Sequence, residues 1–343
     1  MTDFADTGIG IVGFGRIGVG RAAGINAAGA GVAGVADPTD GRRARGGAGG
    51  LATASSIDDL LRRDDLAAVL VATPTSMHFE HALAAISAGR HVMVEKPVTL
   101  NLSQARHLAD EAARRRLTLS VFHNRRWDRD YLTLTSAIAA GRLGRVLNVE
   151  SRLGQWSSCV GPAAREYHPN WRNEQAFGGG GLYDWGSHFV DQLWQLMLPA
   201  RPVRVFAQLR GNVWSNDCDD FARVCVDFDD GAVGMVEINT TTARPLPRWH
   251  VDGTSGSVEA PFSPAFDVNQ WARFTLARPD GATEPLPLAP AGLDEPTIWR
   301  RFLDACRGRG EPAVPVATVL PTMALLDAAR ESSRSGRAID LTV

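Results

Sequence analysis

Residues 8–18 read GIGIVGFGRIG, an apolar run that ends in a glycine-rich turn. Its last six residues fit G-x-G-x-x-G, directly after a predicted strand and directly before a helix predicted over 16–29. Gly13 permits the tight turn, Gly15 lets a pyrophosphate approach the backbone, and Gly18 lets helix and strand pack closely. The helix N-terminus then faces the phosphates. The motif predicts a dinucleotide-binding unit whose cofactor contacts lie at Gly13, Phe14, Gly15, Arg16, Ile17 and Gly18.

An acidic residue follows the second predicted strand. The apolar run 31–36 leads into Asp37, 24 positions after Gly13, where a carboxylate would accept hydrogen bonds from the adenosine ribose hydroxyls. Asp37 favours NAD over NADP because it would repel a 2′-phosphate, although the arginines within 42–45 could soften that preference. A glycine-rich turn followed by an N-capping aspartate is the alternative interpretation.

The first third of the chain alternates strands with helices. Continuous apolar strands between helical segments indicate a parallel sheet that is covered on both faces. Beyond residue 145 strand-like runs follow one another, several of them separated by turn residues. Further strands are predicted at 66–73, 91–94, 117–122, 146–153, 202–210, 219–228, 232–241, 248–253 and 270–277, with helices at 77–88 and 102–116.

Composition argues against several classes of partner. A net charge of −2 and a pI of about 6.5 give no reason to expect a nucleic acid or an anionic membrane surface. The four cysteines form no CxxC pair and match no zinc spacing, so no metal site is predicted. A reducing cytoplasm is the simplest setting for such cysteines. No signal peptide or transmembrane segment is recognised.

Residues 93–98 read MVEKPV and contain Lys96, the only lysine among 36 basic Lys and Arg residues. A composition bias that replaces lysine by arginine could have left one lysine over. Alternatively, chemistry at this position needs a compact cation or a movable proton, which arginine cannot supply. The count alone leaves both interpretations open.

Four short motifs stand at the ends of predicted elements. TPTSMH occupies 73–78 and EKP occupies 95–97, each after a strand, while HNRRWD occupies 123–128 and DWGSH occupies 184–188. In this combination, and with a closing segment at 316–341, the chain resembles the Gfo/Idh/MocA family of NAD(P)-dependent oxidoreductases over essentially its whole length. The resemblance adds cofactor contacts at Thr73, Pro74, His78, Glu95 and Lys96.

The resemblance implies an α/β fold of two domains. Residues 1–122 would form a Rossmann domain, and residues 123–343 an α/β domain on a large open, mainly antiparallel sheet, with closing helices that could pack back on the first domain. Relatives commonly assemble through the outer face of this sheet, so a homodimer or homotetramer is implied.

Three residues are candidates for catalysis: Lys96, Asp184 and His188. Pro97 biases Lys96 away from helix, at the carboxyl end of a parallel strand where ligands bind. A spacing of four puts Asp184 and His188 on one helix face. His188 would take a hydroxyl proton and Lys96 would stabilise the alkoxide, and the sequence leaves open which of the two finally holds the proton. The structural alternatives are a satisfied core histidine and an aspartate that complements the helix dipole.

Several other residues are weaker candidates. A polar and aromatic cluster before the glycine run 178–181 suits a sugar ring, or is an ordinary loop; its members are Tyr167, His168, Trp171 and Arg172. His78 and His81 lie three apart on a predicted helix, but no third metal ligand stands nearby. Arg125 and Arg126 could reach the site or lie at the surface.

The resemblance therefore predicts an enzyme that uses NAD, with NADP possible, on a sugar, inositol or related polyol. Two alternatives remain among relatives of this kind. One is a glycosidase that oxidises a sugar ring transiently, and the other is a sugar-sensing regulator without catalysis. The residues Lys96, Asp184 and His188 favour an enzyme.

Overall fold

The N-terminal region is built on a parallel sheet. The computed structural model describes residues 4–159, 170–211, 213–261, 263 and 266–341. Six strands of this described part pair in parallel in the order β3-β2-β1-β4-β5-β6. The order reverses between β1 and β4, and sheets of this kind bind ligands outside the carboxyl ends of their strands at that point. The strands are β1 (Phe4–Val12), β2 (Ala30–Ala36), β3 (Ala52–Ala54), β4 (Leu66–Val71), β5 (His91–Val94) and β6 (Leu119–Val121).

Helices connect these strands. They are α1 (Arg16–Ala27), α2 (Asp40–Ala48), α3 (Ile57–Leu61), α4 (His78–Ser87) and α5 (Leu102–Arg114). Side-chain caps begin two of them, since Ser56 accepts the backbone N–H of Asp59 and Asn101 accepts that of Gln104. The residues of β4 and β5 are buried apart from Ala67 and His91, as the apolar runs predict. The predicted parallel Rossmann sheet is confirmed, whereas β3 and α3 had no prediction.

The second sheet is larger and mostly antiparallel, as predicted. Nine strands of the described residues pair in the order β14-β13-β12-β11-β7-β10-β9-β8-β15, and of these pairs β7 with β10 is parallel. Its strands are β7 (Val146–Gly154), β8 (Pro202–Arg210), β9 (Phe221–Phe228), β10 (Val233–Asn239), β11 (Trp249–Gly253), β12 (Gly256–Glu259), β13 (Thr275–Ala277), β14 (Thr283–Pro285) and β15 (Ile339–Asp340).

The strand predicted at 270–277 is wrong in its first half. Residues Val268–Trp271 form a short helix, α8, and the strand begins at Thr275. The Asp267 carboxylate accepts the backbone N–H groups of Asn269 and Gln270 and so begins the helix.

Helices cover the inner face of the second sheet. These are α6 (Arg129–Ala139), α7 (Ser187–Leu196) and α10 (Leu320–Ser335). Ser332 of α10 accepts the backbone N–H of Ala207 in β8, and the indole of Trp194 in α7 donates to Thr322 of α10. The apolar residues of β8 that face these helices, Val205 and Ala207, are buried.

One late helix returns to the first sheet. In α9 (Glu295–Cys306), Trp299 and Phe302 are fully buried in a core shared with Phe4, Ile9 and Ile25. Each such side chain contributes about 1.5–3 kcal/mol of burial free energy. The two parts of the chain therefore share a core, although the boundary between residues 122 and 123 itself stays a prediction.

A buried ion pair anchors the HNRRWD segment to α7. Arg126 Nε and Nη2 donate to the two carboxylate oxygens of Asp191 in α7 at 2.7 Å, and Nη1 donates to Thr318 Oγ1 at 2.7 Å. Both charged groups are buried. The expectation that Arg126 reaches the site or the surface is wrong, because its buried guanidinium is hydrogen-bonded to Asp191 and Thr318.

Candidate active site

The glycine-rich turn leaves a space that a ligand can fill. Gly13 has φ +89°, and a Cβ there would lie 2.6 Å from the carbonyl oxygen of Ala72. A Cβ at Gly18 would overlap the carbonyl oxygen of Gly13. Gly15 differs, since the atoms nearest to its Cβ would be those of the Arg42 guanidinium, at 3.4 Å or more, in a cavity that Gly15 lines. The protein itself leaves room for a Cβ at Gly15, so a ligand that approaches the backbone explains this glycine.

Asp37 lines this cavity. Its carboxylate accepts the backbone N–H of Phe14 at 2.8 Å and that of Thr39 at 2.9 Å, and Arg42 Nη1 lies 3.5 Å away. The aspartate thus shapes the glycine turn as well as facing the cavity. Phe14 serves this turn through its backbone, because its ring is buried in the core.

Two cavities meet along the carboxyl ends of the strands. One, of about 270 Å³, runs from Asp37 past Gly13 and Gly15. The other, of about 450 Å³, contains the three catalytic candidates. Residues shared by both walls join them: Arg16, Ile17, Ala72, Thr73, Trp171 and Arg172. The first turn of α1 carries no acidic residue, and its N-cap Gly15 has no side chain to occupy the N–H groups. This elongated shape and the open helix N-terminus fit a dinucleotide.

Lys96 connects the two parts of the chain inside the larger cavity. Its Nζ donates to the backbone oxygen of Asp184 at 2.6 Å and to Asp184 Oδ1 at 3.0 Å. An ammonium has three N–H groups, so among the described residues one N–H remains for a ligand. Burial opposes ionisation of Asp184, but Lys96 and then Arg172 outweigh it, and the pKa of this carboxyl lies below 3.8.

Asp184 and His188 lie on a helix that begins irregularly. Residues Leu182–Gly186 form a π-helical turn that continues into α7. Asp219 anchors the start of the turn, since its backbone oxygen accepts the N–H of Gly181 and its carboxylate accepts that of Leu182. The predicted helix is confirmed, but its first turn is of the π type, which often occurs at functional sites.

His188 presents a neutral imidazole to the larger cavity. Its Nδ1 is sealed from solvent and has no hydrogen-bond partner among the described residues, so the ring meets the cavity through Nε2. Burial, followed by the positive charge of Lys96, holds its pKa well below 6.5. At neutral pH His188 therefore carries a lone pair that can accept a proton.

His78 lines the larger cavity and His81 the smaller one, and both rings also contact protein groups. The His78 ring lies between the carbonyl oxygens of Pro97, 2.8 Å from Nδ1, and Thr73, 2.9 Å from Nε2. A neutral ring donates to only one of them, and burial lowers the pKa of His78. His81 Nδ1 lies 3.2 Å from Thr73 Oγ1, and burial lowers its pKa to about 4. His78 thus ties two cavity-lining turns together.

Sequence reasoning missed Arg21. Its Nε donates to Glu95 at 2.6 Å and its Nη1 to Glu295 of α9 at 2.8 Å, while its guanidinium lies 3.8 Å from the centre of the Phe122 ring. The side chain lines the larger cavity four residues after Ile17 on α1. That spacing was a usable signal, because Ile17 and Arg21 share one helix face.

The remaining candidates divide into three groups. Trp171 and Arg172 line both cavities, with the guanidinium 4.3 Å from the indole centre. Arg125 also lines the larger cavity and stacks 4.2 Å from the Phe266 ring. Tyr167 and His168 lie outside the described residues. Four further lining residues, Gln155, Ser157, Ser158 and Cys159, follow the end of β7, and sequence reasoning did not assign them to the site.

Comparison with known proteins identifies the family. Residues 7–123 match the model described as oxidoreductase family, NAD-binding Rossmann fold, and residues 131–259 match the Gfo/Idh/MocA C-terminal domain. The uncharacterized oxidoreductase YdgJ of Escherichia coli is 31% identical over 284 residues, which cover 78% of each chain. The chain belongs to the Gfo/Idh/MocA family. The resemblance of its four motifs to this family is therefore confirmed.

Two other members illustrate the likeness. The Bacillus subtilis protein named scyllo-inositol 2-dehydrogenase (NADP(+)) IolW is 27% identical over 292 residues, covering 80% of this chain and 78% of its own. The crystal structure of an NAD-binding protein from Listeria innocua superposes with a TM-score of 0.86 at 29% identity, covering 98% of this chain and 97% of its own. A nicotinamide dinucleotide is the cofactor of this Gfo/Idh/MocA protein.

Two features are absent from the described residues. No helix there is long and apolar enough to cross a membrane. No group of three or more His, Cys, Asp and Glu side chains is arranged there to hold a metal ion.

The position of Asp37 generates a prediction about the cofactor. We expect the protein to bind NAD more tightly than NADP, and Asp37→Ala to reduce this preference about 10–100-fold, because a hydrogen bond to a charged group contributes about 1.5–3 kcal/mol. Calorimetric titration with both cofactors measures the ratio. Asp40→Ala is the matched control, since the side chain of Asp40 is 93% exposed at the start of α2. Tighter binding of NADP by the unmodified protein would contradict the assignment and point to Arg42.

Proposed function

We propose that this protein is a dehydrogenase or reductase that transfers a hydride between a nicotinamide cofactor and a hydroxyl or carbonyl group of a sugar, inositol or related polyol. One observation carries the proposal. A cation, Lys96, and a neutral histidine, His188, line one cavity next to the dinucleotide cradle. This pair supplies both the charge and the proton acceptor that alcohol oxidation needs.

The size and lining of the cavity support a small polar substrate. About 450 Å³ suits a single ring of this kind. Side chains with hydrogen-bonding groups surround it, among them Asn124, Gln155, Ser157 and Arg172, while Trp171 and Trp185 add aromatic faces. The relative named scyllo-inositol 2-dehydrogenase supports the same substrate class.

The cofactor would lie with its diphosphate at Gly15 and Arg16, its adenosine end near Asp37, and its reactive end beside Lys96. When bound, NAD or NADP supplies the acceptor for the hydride that leaves the substrate carbon. The proton of the same hydroxyl group must leave in the other direction, and the residues of the chain handle it.

His188 receives that proton. Its depressed pKa keeps Nε2 unprotonated at neutral pH, so Nε2 accepts the hydroxyl proton as the hydride departs. Lys96 donates a hydrogen bond to the oxygen and stabilises its developing negative charge. Asp184 holds Lys96 in place through two hydrogen bonds. In the reducing direction, His188 returns the proton.

A screen of substrates tests the proposal as a whole. Sugars, inositols and their glycosides are mixed with NAD or NADP, and the absorbance of the reduced cofactor is followed. Steady reduction supports the proposal. Release of an aglycone without net cofactor reduction would instead show a glycosidase with transient oxidation. Binding of NAD and sugar with neither reaction would show a sensor.

His188 generates a prediction about rate and pH. His188→Asn keeps a polar group but removes the base, so we expect turnover to fall about 10²–10⁴-fold with cofactor binding retained. In the unmodified enzyme, the acid limb of kcat/KM should lie below pH 6.5, because the neutral base persists until pH falls to its depressed pKa. The control is His107→Asn, at an exposed position of α5. An unchanged rate and pH profile in His188→Asn would remove His188 from the mechanism.

Lys96 generates a prediction about the lone lysine. Lys96→Arg keeps the charge, but its broader fork would displace the substrate, and a misplacement of about 1 Å can cost on the order of 10²-fold in rate. We expect this variant to fold, bind NAD and turn over poorly, with Lys96→Met at least as poor. The opposite exchange at an exposed site, Arg334→Lys, should be harmless.

Chemical labelling checks the same residue independently. Amine-reactive reagents have only Lys96 and the N-terminus to attack in this chain. Modification at Lys96 should track loss of activity, and bound NAD with substrate should protect it. Near-normal turnover by Lys96→Arg would make the lysine a remnant of composition.

The outer face of the second sheet supports assembly into a homodimer or homotetramer. Phe206, Cys225 and Met235 stand in register on neighbouring strands of this face, and Phe206 is 41% exposed. Ion pairs flank this strip, including Arg204 with Asp227 at 2.8 Å. An apolar strip with a charged border is typical of a protein interface.

Light scattering tests the assembly. We expect a dimer or tetramer, and a lower mass for Phe206→Glu, because a buried unpaired charge destabilises an interface. Leu198→Glu is the matched control, since Leu198 is 54% exposed after the end of α7. A monomeric mass for the unmodified protein would contradict this assembly.

A further inference from the structure

A second histidine lies directly behind His188. His123 opens the HNRRWD segment after β6, and its ring meets that of His188 edge to face, with centroids 5.4 Å apart and planes at 89°. Both nitrogens of His123 are sealed from solvent without a hydrogen-bond partner among the described residues. Together with His188 Nδ1, three ring nitrogens are left unsatisfied between two neighbouring side chains.

Such a cluster requires a physical reason. Buried polar groups are nearly always hydrogen-bonded, because an unsatisfied group loses its hydration without compensation. Packing alone would favour phenylalanine at position 123, which fills similar space without polar atoms. The nitrogens of His123 are therefore explained best by a state of the protein in which they are used.

The surroundings of His123 indicate which nitrogen carries its proton. Nδ1 lies 3.8 Å from Asp191 Oδ2, so a proton on Nδ1 faces a carboxylate. Burial lowers the pKa of His123 to about 4, so the ring is neutral at pH 7. A neutral ring protonated at Nδ1 keeps a lone pair at Nε2. That lone pair can accept an N–H from His188.

We propose that His123 is a positioning residue for the reaction in this cleft: it holds His188 in the tautomer protonated at Nδ1, with the Nε2 lone pair facing the substrate, and it accepts the Nδ1–H when His188 becomes charged. The inference rests on the proposed role of His188 as base. In this arrangement His123 orients the base, His188, and Asp191 in turn orients His123.

The charged groups around the pair favour this arrangement over transfer of the proton to Asp191. Burial opposes ionisation of Asp191, but His123, then the bidentate Arg126 and the hydroxyl of Thr322, outweigh it, and the pKa of this carboxyl lies below 3.8. Asp191 therefore orients His123 without taking its proton. The ionisable groups that act on the two rings are Arg21, Glu95, Lys96, Arg125, Arg126 and Asp191.

Nitrogen-15 NMR of histidine-labelled protein tests the tautomer without a substrate. The His188 signals are assigned as those lost in His188→Asn. We expect His188 to be neutral and protonated at Nδ1 at pH 7. In His123→Phe, which keeps a ring and removes both nitrogens, this preference should be lost. His123→Gln offers an oxygen acceptor and should restore part of it, while His107→Gln should change nothing at His188.

The pH profile supplies a kinetic measurement, using the compound that reacts fastest in the substrate screen. Without an acceptor the His188 imidazolium is less stable, so in His123→Phe the acid limb of kcat/KM should move to lower pH. Turnover should fall about 10–100-fold, because a weaker base transfers the proton less readily. His123→Gln should fall less. A purely structural role would lower the rate in both variants without moving the limb.

The outcomes separate this inference from the proposed function. An unchanged His188 tautomer and acid limb in His123→Phe would overturn the inference and leave His188 as the base. Normal turnover by His188→Asn would overturn the proposed function itself. If His123→Phe does not fold, the unmodified protein still decides, because a proton on Nε2 of neutral His188 contradicts the inference.

Discussion

The candidate site depends on the contact between Lys96 and Asp184. Lys96 stands at the carboxyl end of β5 in the parallel sheet, and Asp184 stands on the π-helical turn before α7, which packs on the other sheet. The ammonium binds both the backbone and the carboxylate of Asp184, so it fixes the position of the helix as well as the charge. Since a shift of about 1 Å can cost on the order of 10²-fold in rate, the rigidity of this junction matters more than its free energy. A buried or half-buried ion pair contributes little net stability in any case. The junction is reinforced by the core that α9 shares with the first sheet.

The glycine run and Asp219 explain how the helix with Asp184 and His188 begins. Gly178 and Gly180 have positive φ values, which side chains disfavour, and a Cβ at Gly180 would overlap the Asp219 carboxylate. The carboxylate approaches closely enough to accept the N–H of Leu182. Burial raises the pKa of Asp219 to about 6, so the protein holds this anion at a cost. The glycines at 178 and 180 thus serve the turn that aims Asp184 and His188 at Lys96.

The sequence predicts what periodicity and backbone sterics determine. The strand runs, Gly13 to Gly18 and the Asp184–His188 spacing predict the parallel sheet, the cradle and the helix. The π-helical turn leaves no comparable signal, because its i→i+5 hydrogen bonds arise from tertiary contacts such as that with Asp219. Arg126 looks in the sequence like any exposed arginine, and only the arrival of Asp191 from a distant helix makes it internal. The strand predicted at 270–277 failed for a local reason, since the N-capping side chain of Asp267 was present in the sequence and overlooked.

Electrostatics divides the roles of the two candidate catalytic groups. Lys96 keeps a carboxylate beside its charge, whereas His188 is desolvated next to cations, so one group offers charge and the other a lone pair.

The neutral buried histidines also make the stability of the fold depend on pH. Below pH 6.5 the unfolded chain binds protons at His81 and His123, whereas the folded chain binds them only near pH 4. Lowering the pH from 6.5 to 4 therefore lowers the free energy of unfolding. Asp128 and Asp219 act in the opposite direction. Their folded pKa values of about 7 and about 6 exceed 3.8, so the folded chain retains protons that the unfolded chain has released, and stability falls as pH rises through that range. Between pH 4 and 6 the two effects overlap. Protonation of Asp128 and Asp219 in the folded chain then offsets part of the stability that acid removes through His81 and His123.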